Sequence, residues 1–222
     1  MSRYRWTGRD VAVLLAVAIP FGLVYIAWDH LYNWLLEIGW NLAPTSLING
    51  MWMMGGFLAA ALIRKPGACL LGEALSALVE VGTIHLVGAQ YPINVSGEVY
   101  TRIEMSGRTM EVFNVVFFVG ILQGVGGELA LGLYRYDNWN YAPFLWGGVG
   151  AAVMEWLTGI YVTHYYAFAG TSQLWGTLVT SVIAMMWAGA LSCWIGQMVW
   201  RDRFTRAAVQ VSTEKPEGAE IR

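Results

Sequence analysis

Four glutamates lie inside long apolar stretches of this 222-residue sequence: Glu73, Glu80, Glu128 and Glu155. An acidic residue at the centre of a membrane helix costs at least about 2.5 kcal/mol on insertion scales. No Lys or Arg lies at comparable depth in these stretches, so ion pairing does not explain the four acids in general. They are protonated, hydrogen-bonded, or matched by a ligand that brings donors or positive charge.

Glu73 and Glu80 lie seven residues apart on one predicted helix. Seven helical residues turn through about 700°, so the two side chains share a face and are about two turns apart. Counted from Lys65, Glu80 lies roughly 22 Å along the helix and Glu73 roughly 12 Å. The spacing therefore predicts two layers of acids, an outer layer and a lower layer.

The outer layer contains the predicted substrate-binding residues. Similar counts along the other helices place it roughly 18 to 22 Å from the inner edge of the membrane. Its members are Glu80, Gln123, Trp52 and Glu155. Carboxylates and an amide bind polar groups, and an indole face suits a planar or cationic ring. Packing or a place in an interfacial aromatic belt remains an open alternative for Trp52.

The lower layer contains Glu73 and Glu128, which we predict to be structural or secondary-site acids. Glu128 continues an i, i+4, i+8 stripe with Gly120 and Gly124, whose small size permits close helix contact. We therefore expect Glu128 to be hydrogen-bonded between helices and Glu73 to be protonated.

The composition indicates what kind of protein contains these acids. The chain is 57% hydrophobic and 13% charged, a balance typical of an integral membrane protein. We predict an all-α bundle of six transmembrane helices in one membrane domain, residues 1–200, followed by a disordered polar cytoplasmic tail, 201–222. The predicted helices cover about 11–38, 44–63, 66–87, 112–134, 142–166 and 172–200.

The basic residues predict the orientation of the bundle. Eleven of the 13 Lys and Arg residues lie on the side of the two termini, and only Arg102 and Arg108 lie opposite. The positive-inside rule then places both termini in the cytoplasm. The outer connection, 88–111, is long enough for a lid or a binding loop, although a mobile surface loop is an equal alternative.

Several function classes are disfavoured. Cys69 and Cys193 form no CxxC motif or Cys/His cluster, so we expect no metal site. The separated histidines and the lack of a nucleophile set argue against an enzyme. No surface for nucleic acid is indicated. No phosphate-binding GxxxxGK[ST] motif occurs, so we expect no cofactor in this chain, and any ATP must be used by a partner.

Three segments together resemble a known family. They are IRKPGACLLGEALSALVE, the Gly50-Met51-Trp52 tripeptide and GILQGVGGELA from Gly120 to Ala130. They resemble the YkoE family, the substrate-binding S components of energy-coupling factor (ECF) transporters, over roughly Leu14 to Gly196. The resemblance implies a six-helix protein of the bacterial cytoplasmic membrane that captures thiamine or its hydroxymethylpyrimidine precursor from outside. It also implies a transmembrane T component and two cytoplasmic ABC ATPases as partners, which use the ATP.

The resemblance further implies roles for particular residues. Glu80, Glu155 and Gln123 would bind the aminopyrimidine ring, and Trp52 would stack on either ring of thiamine. Ala12 and Ala16 form an AxxxA motif on the first helix, a weak signal for any helix contact. In this family the motif would face the T component.

Two alternatives remain open. A proton-coupled secondary transporter of a small polar or cationic solute would also bury titratable acids, although such proteins usually show paired repeats or broken helices. Neither feature is evident in the sequence. An S component for a different vitamin is the other alternative.

Overall fold

The computed structural model describes residues 4–86, 94–95, 98–99, 102–105, 108–161 and 171–213. Helices make up most of this part of the chain. They are α1 (Gly8–Glu37), α2 (Leu42–Thr45), a 3₁₀ helix (Ser46–Met53), α3 (Met54–Ile63), α4 (Ala68–Leu86), α5 (Val112–Leu133), α6 (Tyr141–Tyr161) and α7 (Thr171–Thr213). The predicted all-helical bundle is confirmed. In the 88–111 connection, β1 (Asn94–Val95) pairs with β2 (Glu98–Val99), and β3 (Arg102–Met105) with β4 (Arg108–Glu111), both antiparallel.

The helices form one bundle around a continuous core. Helix α4 packs against α1, α3 and α5, while α6 packs between α5 and α7, and α7 returns to α3 and the 3₁₀ helix. Phe57 and Phe144 meet edge to face in the buried core, with ring centroids 6.2 Å apart. Helix α4 thus has neighbours on three sides, and its acids Glu73 and Glu80 are buried against them.

Among the described residues, four segments have the length and hydropathy of membrane spans: Gly8–Glu37, Leu42–Ile63, Val116–Leu133 and Thr171–Asp202. Helices α4 and α6 have 19 and 21 residues, but they are not among the four. A multi-pass membrane protein is supported, whereas the count of six spans and the cytoplasmic termini remain predictions.

The helix predicted over 44–63 is interrupted. After the short α2, Ser46–Met53 forms the 3₁₀ helix, and regular α-helix resumes at Met54. Gly50 lies directly against the Ala184 carbonyl group of α7, an approach that leaves no room for a side chain. In a 3₁₀ helix residues i and i+3 are aligned, so Asn49 and Trp52 project from the same face.

Helix α7 also differs from its prediction. Its backbone remains helical to Thr213, although disorder was expected after residue 200. Polar composition alone does not end a helix when no Gly or Pro intervenes, and none occurs between 201 and 213. Residues 214–222 of the predicted tail lie outside the described residues.

One end of the bundle brings together the N-terminal segment and the connections that follow α3 and α5. Lys65 forms an ion pair with Asp10 at 2.6 Å. The Trp6 indole donates to the Pro66 carbonyl oxygen at 3.2 Å, and the Tyr4 hydroxyl donates to the Arg135 carbonyl oxygen at 3.3 Å. These contacts place the segments at one end, as the alternating topology requires.

A glycine pair sets the distance between α5 and α6. A methyl group at Gly126 would clash with the Gly150 carbonyl oxygen, whereas one at Gly82 of α4 would meet nothing within 4 Å. We expect Gly126→Ala to destabilise the protein by about 1 to 3 kcal/mol through overpacking. Gly82→Ala, the matched control, should be neutral or stabilising by up to about 1 kcal/mol. Thermal unfolding of both variants in detergent tests this, and equal midpoints would contradict the close packing of the pair.

Candidate functional site

Glu73 lies at the junction of three helices. It is buried, and its Oε2 accepts hydrogen bonds from the Tyr25 hydroxyl at 3.1 Å and from the Gly56 amide at 3.2 Å. The Tyr25 hydroxyl in turn accepts from the Gly55 amide at 3.0 Å. The carboxyl group therefore joins α1, α3 and α4, which is the geometry expected of a structural acid. Its role remains a prediction.

Glu128 holds the start of α4 from α5. Its Oε1 accepts from the Gly67 amide at 2.6 Å, and its Oε2 accepts from the amides of Cys69 at 3.0 Å and Leu70 at 3.2 Å. The first amides of a helix lack partners within the helix and carry partial positive charge, so a carboxylate there is favourable. These bonds supply the interhelical contact proposed for this residue.

Tyr136 adds a further donor to the same group. Its hydroxyl hydrogen-bonds Glu128, and burial together with this carboxylate raises the pKa of the Tyr136 phenol well above its usual range. The phenol is thus protonated at neutral pH and able to donate. The carboxylate has donors on both oxygens, which supports a structural role over ligand binding.

Glu155 lies in a polar cluster formed by α6, α7 and the 3₁₀ helix. Asn49 Nδ2 donates to Glu155 Oε1 at 2.7 Å and to the Ser181 hydroxyl at 3.0 Å. The Gln123 side chain of α5 hydrogen-bonds the same carboxyl group. The structure therefore brings together two of the predicted substrate-binding residues, Glu155 and Gln123, and adds Asn49 and Ser181 to them.

Trp52 lies in a second cluster with α1. Its indole Nε1 donates to Asp29 Oδ1 at 3.1 Å, and its ring meets Tyr32 edge to face at 5.3 Å between centroids. Asp29 is almost fully buried, with 7% of its surface exposed. The hydrogen bond fixes one edge of the half-buried Trp52 ring, so the Trp52 and Tyr32 rings lie beside the Asp29 carboxylate. Such a group suits a flat cation.

Glu80 is level with Trp52. Only 2% of its surface is exposed. One turn earlier on α4, Ser76 lies against Gly55 of α3. Glu80 is roughly 6 Å above Ser76, and Trp52 is roughly as far above Gly55. The two residues therefore share a layer, as their sequence positions predicted.

Gln123 lies lower than its count predicted. A methyl group at Gly120 would be 2.7 Å from Ala77 Cβ, and one at Gly124 would be 3.2 Å from Glu73 Cβ. Helices α4 and α5 run antiparallel, so these two contacts place Gln123 level with the residue that follows Glu73 on α4. That position is about six residues, or roughly 9 Å, below Glu80. The count started from the turn after α5, which does not lie at the same height as Lys65. Gln123 reaches the site through Glu155 instead.

Ala12 and Ala16 lie on the exposed face of α1. Large apolar side chains continue this face: Leu15, Ile19 and Leu23. The face is available to lipid or to a partner helix. Among the described residues, no contact shows whether lipid or a partner helix covers this face of α1.

Sequence reasoning missed Asp29, Asn49 and Ser181. Asp29 follows Tyr25 by four residues and precedes Tyr32 by three, so a polar and aromatic stripe on α1 was readable. Asn49 precedes Trp52 by three residues, so the two share a helix face and this pairing was readable as well. Counting only ionisable residues left the neutral amide and hydroxyl out.

Three comparisons relate the chain to known proteins. A family model described as the permease component of an ABC-type cobalt transport system matches residues 9–95. The chain is 27% identical over 186 residues to the putative HMP/thiamine permease protein YkoE of Bacillus subtilis (strain 168), covering 84% of this chain and 78% of YkoE. A crystal structure described as an S-component of an ECF transporter superposes with a TM-score of 0.71 at 24% identity, covering 96% of this chain and 100% of that chain.

These findings confirm the resemblance on which the prediction rested. The chain is similar to YkoE along most of its length and has the fold of an ECF-transporter S component.

Proposed function

We propose that this chain is the substrate-binding S component of an ECF-type importer and that it binds thiamine or its hydroxymethylpyrimidine precursor from outside. The observation that carries the proposal is the similarity to YkoE, which spans 186 residues and whose name gives HMP and thiamine as its substrates. The S-component fold supports it independently of the substrate. As such the chain is a transport component and not an enzyme.

The two polar clusters supply groups that match the two rings of thiamine. The cluster of Glu155, Asn49 and Gln123 offers acceptors for an aminopyrimidine. The aromatic group of Trp52 and Tyr32, with Asp29 beside it, offers π-faces and a carboxylate for a thiazolium. Glu80 lies level with Trp52, so it would contact ligand between the clusters.

The same proposal assigns partners. An S component works with a transmembrane T component and two cytoplasmic ATPases, and those ATPases would use the ATP, with no cofactor in this chain. The exposed small residues Ala12 and Ala16 would contact the T component, because small side chains let helices approach closely. Six spans, with both termini in the cytoplasm of a bacterial cell, complete the proposal.

Calorimetric titration of the purified chain tests the substrate. Thiamine or hydroxymethylpyrimidine should bind with one site per chain and without ATP, whereas the thiazole fragment alone should bind more weakly because it lacks the amine. A lipid-soluble vitamin of unrelated structure serves as the negative control. Absence of binding by every thiamine-related compound would refute the substrate assignment and leave the fold assignment intact.

One observation favours a second candidate, a proton-coupled secondary transporter. The helix that ends at Ile63 is interrupted by the 3₁₀ helix, and interrupted helices are common at transporter sites. Vesicles containing only this chain would then accumulate solute when a pH gradient is imposed. An S component should bind solute but not accumulate it without its partners.

A further inference from the structure

A groove lies on the outer surface of the bundle, between α7 and the 3₁₀ helix. Its volume is about 670 Å³, and none of the residues that line it is charged. The Trp28 indole, which lines the groove from α1, uses its N–H group to bond the Ile48 carbonyl oxygen at 2.8 Å. An occupant must therefore be apolar along most of its length, because the lining offers a charge no compensation.

Small residues form the floor of this groove, and large residues form its walls. Gly50, Ala184 and Ala188 are buried, and Gly50 packs directly against α7. Beside them, Trp187 of α7 is 72% exposed and Leu47 of the 3₁₀ helix is 48% exposed. The side chains of the walls therefore stand above a recessed floor.

The dimensions of the groove exclude a helix from its floor. The lining residues of α7 extend from Ile183 to Trp194, a length of roughly 16 Å. Spread over that length, the volume gives a mean cross-section of about 40 Å², whereas a helix about 10 Å wide has a cross-section of about 80 Å². The walls would hold such a helix away from the floor, but a flexible hydrocarbon chain can reach it.

Positive charge lies beyond one end of the groove. Arg201 is exposed and follows Trp194 by seven residues, so the two share a face of α7 and are roughly 10 Å apart along it. Arg201 is the first charged residue of α7, and the adjacent Asp202 lies about 100° around the helix. An anionic group at this end would therefore meet a cation in line with the groove.

Tyr141 lies near the same end. It is the first residue of α6 and lines the groove. Helix α6 runs antiparallel to α7, with Phe144 against Gly189, so the start of α6 lies beside the half of α7 that leads to Arg201. The exposed Tyr141 ring joins an apolar body to a hydroxyl donor, a combination enriched where lipid headgroups meet hydrocarbon.

We propose that the groove binds one acyl chain of a phospholipid, whose phosphate group lies beside Arg201 and Tyr141. The chain is uncharged and thin, as the lining and the cross-section require, and the phosphate is complementary to the guanidinium group. The bound chain packs against the 3₁₀ helix, whose own hydrogen bonds have poorer geometry than those of an α-helix. Bound lipid therefore stabilises the folded protein, because the groove exists only in that state.

Titration of the delipidated protein with phosphatidylglycerol, followed by native mass spectrometry from detergent, tests the proposal. We expect the wild-type protein to retain one phospholipid per chain. Ala190→Phe puts a ring into the groove, because Ala190 lines it, and should weaken this binding by at least about tenfold. Arg201→Gln should weaken it by about fivefold, the value of one basic residue near an anionic lipid surface.

Ala74→Phe is the matched control, because Ala74 lies on the outer side of α4 between the exposed Leu71 and Leu78. The same change there should leave lipid affinity within about twofold of the wild-type value. Glycerol phosphate, a phosphate headgroup without acyl chains, should not bind measurably. In thermal unfolding, the phospholipid should raise the midpoint of the wild-type protein and of Ala74→Phe by about 3 °C or more, and that of Ala190→Phe by much less.

Equal lipid affinity of Ala190→Phe and the wild-type protein would overturn the proposal, as would a wild-type protein that retains no phospholipid. Equal binding of glycerol phosphate and phosphatidylglycerol would also overturn it, since the groove would then contribute nothing. If the wild-type protein is dimeric and Ala190→Phe is monomeric, with no lipid retained by either, a second copy of the chain occupies the groove instead. The comparison of the two phosphates uses only wild-type protein, so it decides the matter even if Ala190→Phe does not fold.

Discussion

Glu80→Gln should weaken binding of thiamine or hydroxymethylpyrimidine by about ten- to a hundredfold, the value of a hydrogen bond to a charged group. The side chain is buried to 2% exposure in the same layer as Trp52. The substitution preserves its size and replaces one oxygen by an amide donor. The substitution mainly weakens the interaction with a cationic or donor-bearing ligand. The thermal unfolding midpoint should therefore change much less than the affinity. Calorimetry and thermal unfolding of the same preparation measure the two quantities.

Glu37→Gln is the matched control for this variant. Glu37 is the last residue of α1 and is exposed, so the same chemical change there should leave both affinity and stability unaltered. If Glu80→Gln binds as tightly as the wild-type protein and unfolds at a lower temperature, Glu80 is a structural acid and the outer layer is wrongly assigned.

Glu128→Gln should have the opposite signature, with a loss of stability of about 2 to 4 kcal/mol. Its carboxylate accepts from three backbone amides, those of Gly67, Cys69 and Leu70. An amide group in its place turns one acceptor into a donor that faces other donors, and it removes the charge that stabilises the helix N-terminus. Thermal unfolding should show a lower midpoint, while the protein that remains folded should bind substrate with nearly wild-type affinity.

Asp202→Asn is the corresponding control, because Asp202 is an exposed acid on α7. It should leave the midpoint unchanged. A Glu128→Gln protein with full stability and weakened substrate binding would reverse the assignment and place Glu128 in the binding site.

The layer of each acid on α4 could be predicted because it depends only on position along one helix. Glu73 and Glu80 share that helix, and its rise and turn per residue determine their separation. The depth of Gln123 could not be predicted in the same way. It depends on the offset between α4 and α5, which the close approach of Gly120 to Ala77 sets, and no count from a loop includes that offset.

The partners of the acids were likewise beyond prediction. The sequence indicates that Glu128 needs donors, but it does not indicate that they are backbone amides at the start of α4. Asn49 illustrates the same limit, because its partners Glu155 and Ser181 lie on other helices and it stands in a 3₁₀ helix where an α-helix was expected. Intrinsic preference is a weak guide to such a segment, since the contact of Gly50 with α7 is a tertiary one.

The sequence by itself determined that this protein is an all-helical membrane bundle with buried acids and a resemblance to S components, because apolar length, charge distribution and motif spacing are all local quantities. Only the tertiary structure decided which groups meet: Tyr25 with Glu73, Asn49 with Glu155, and Asp29 with Trp52. These contacts depend on the rotation and offset of each helix relative to its neighbours, and close packing of the whole bundle sets both.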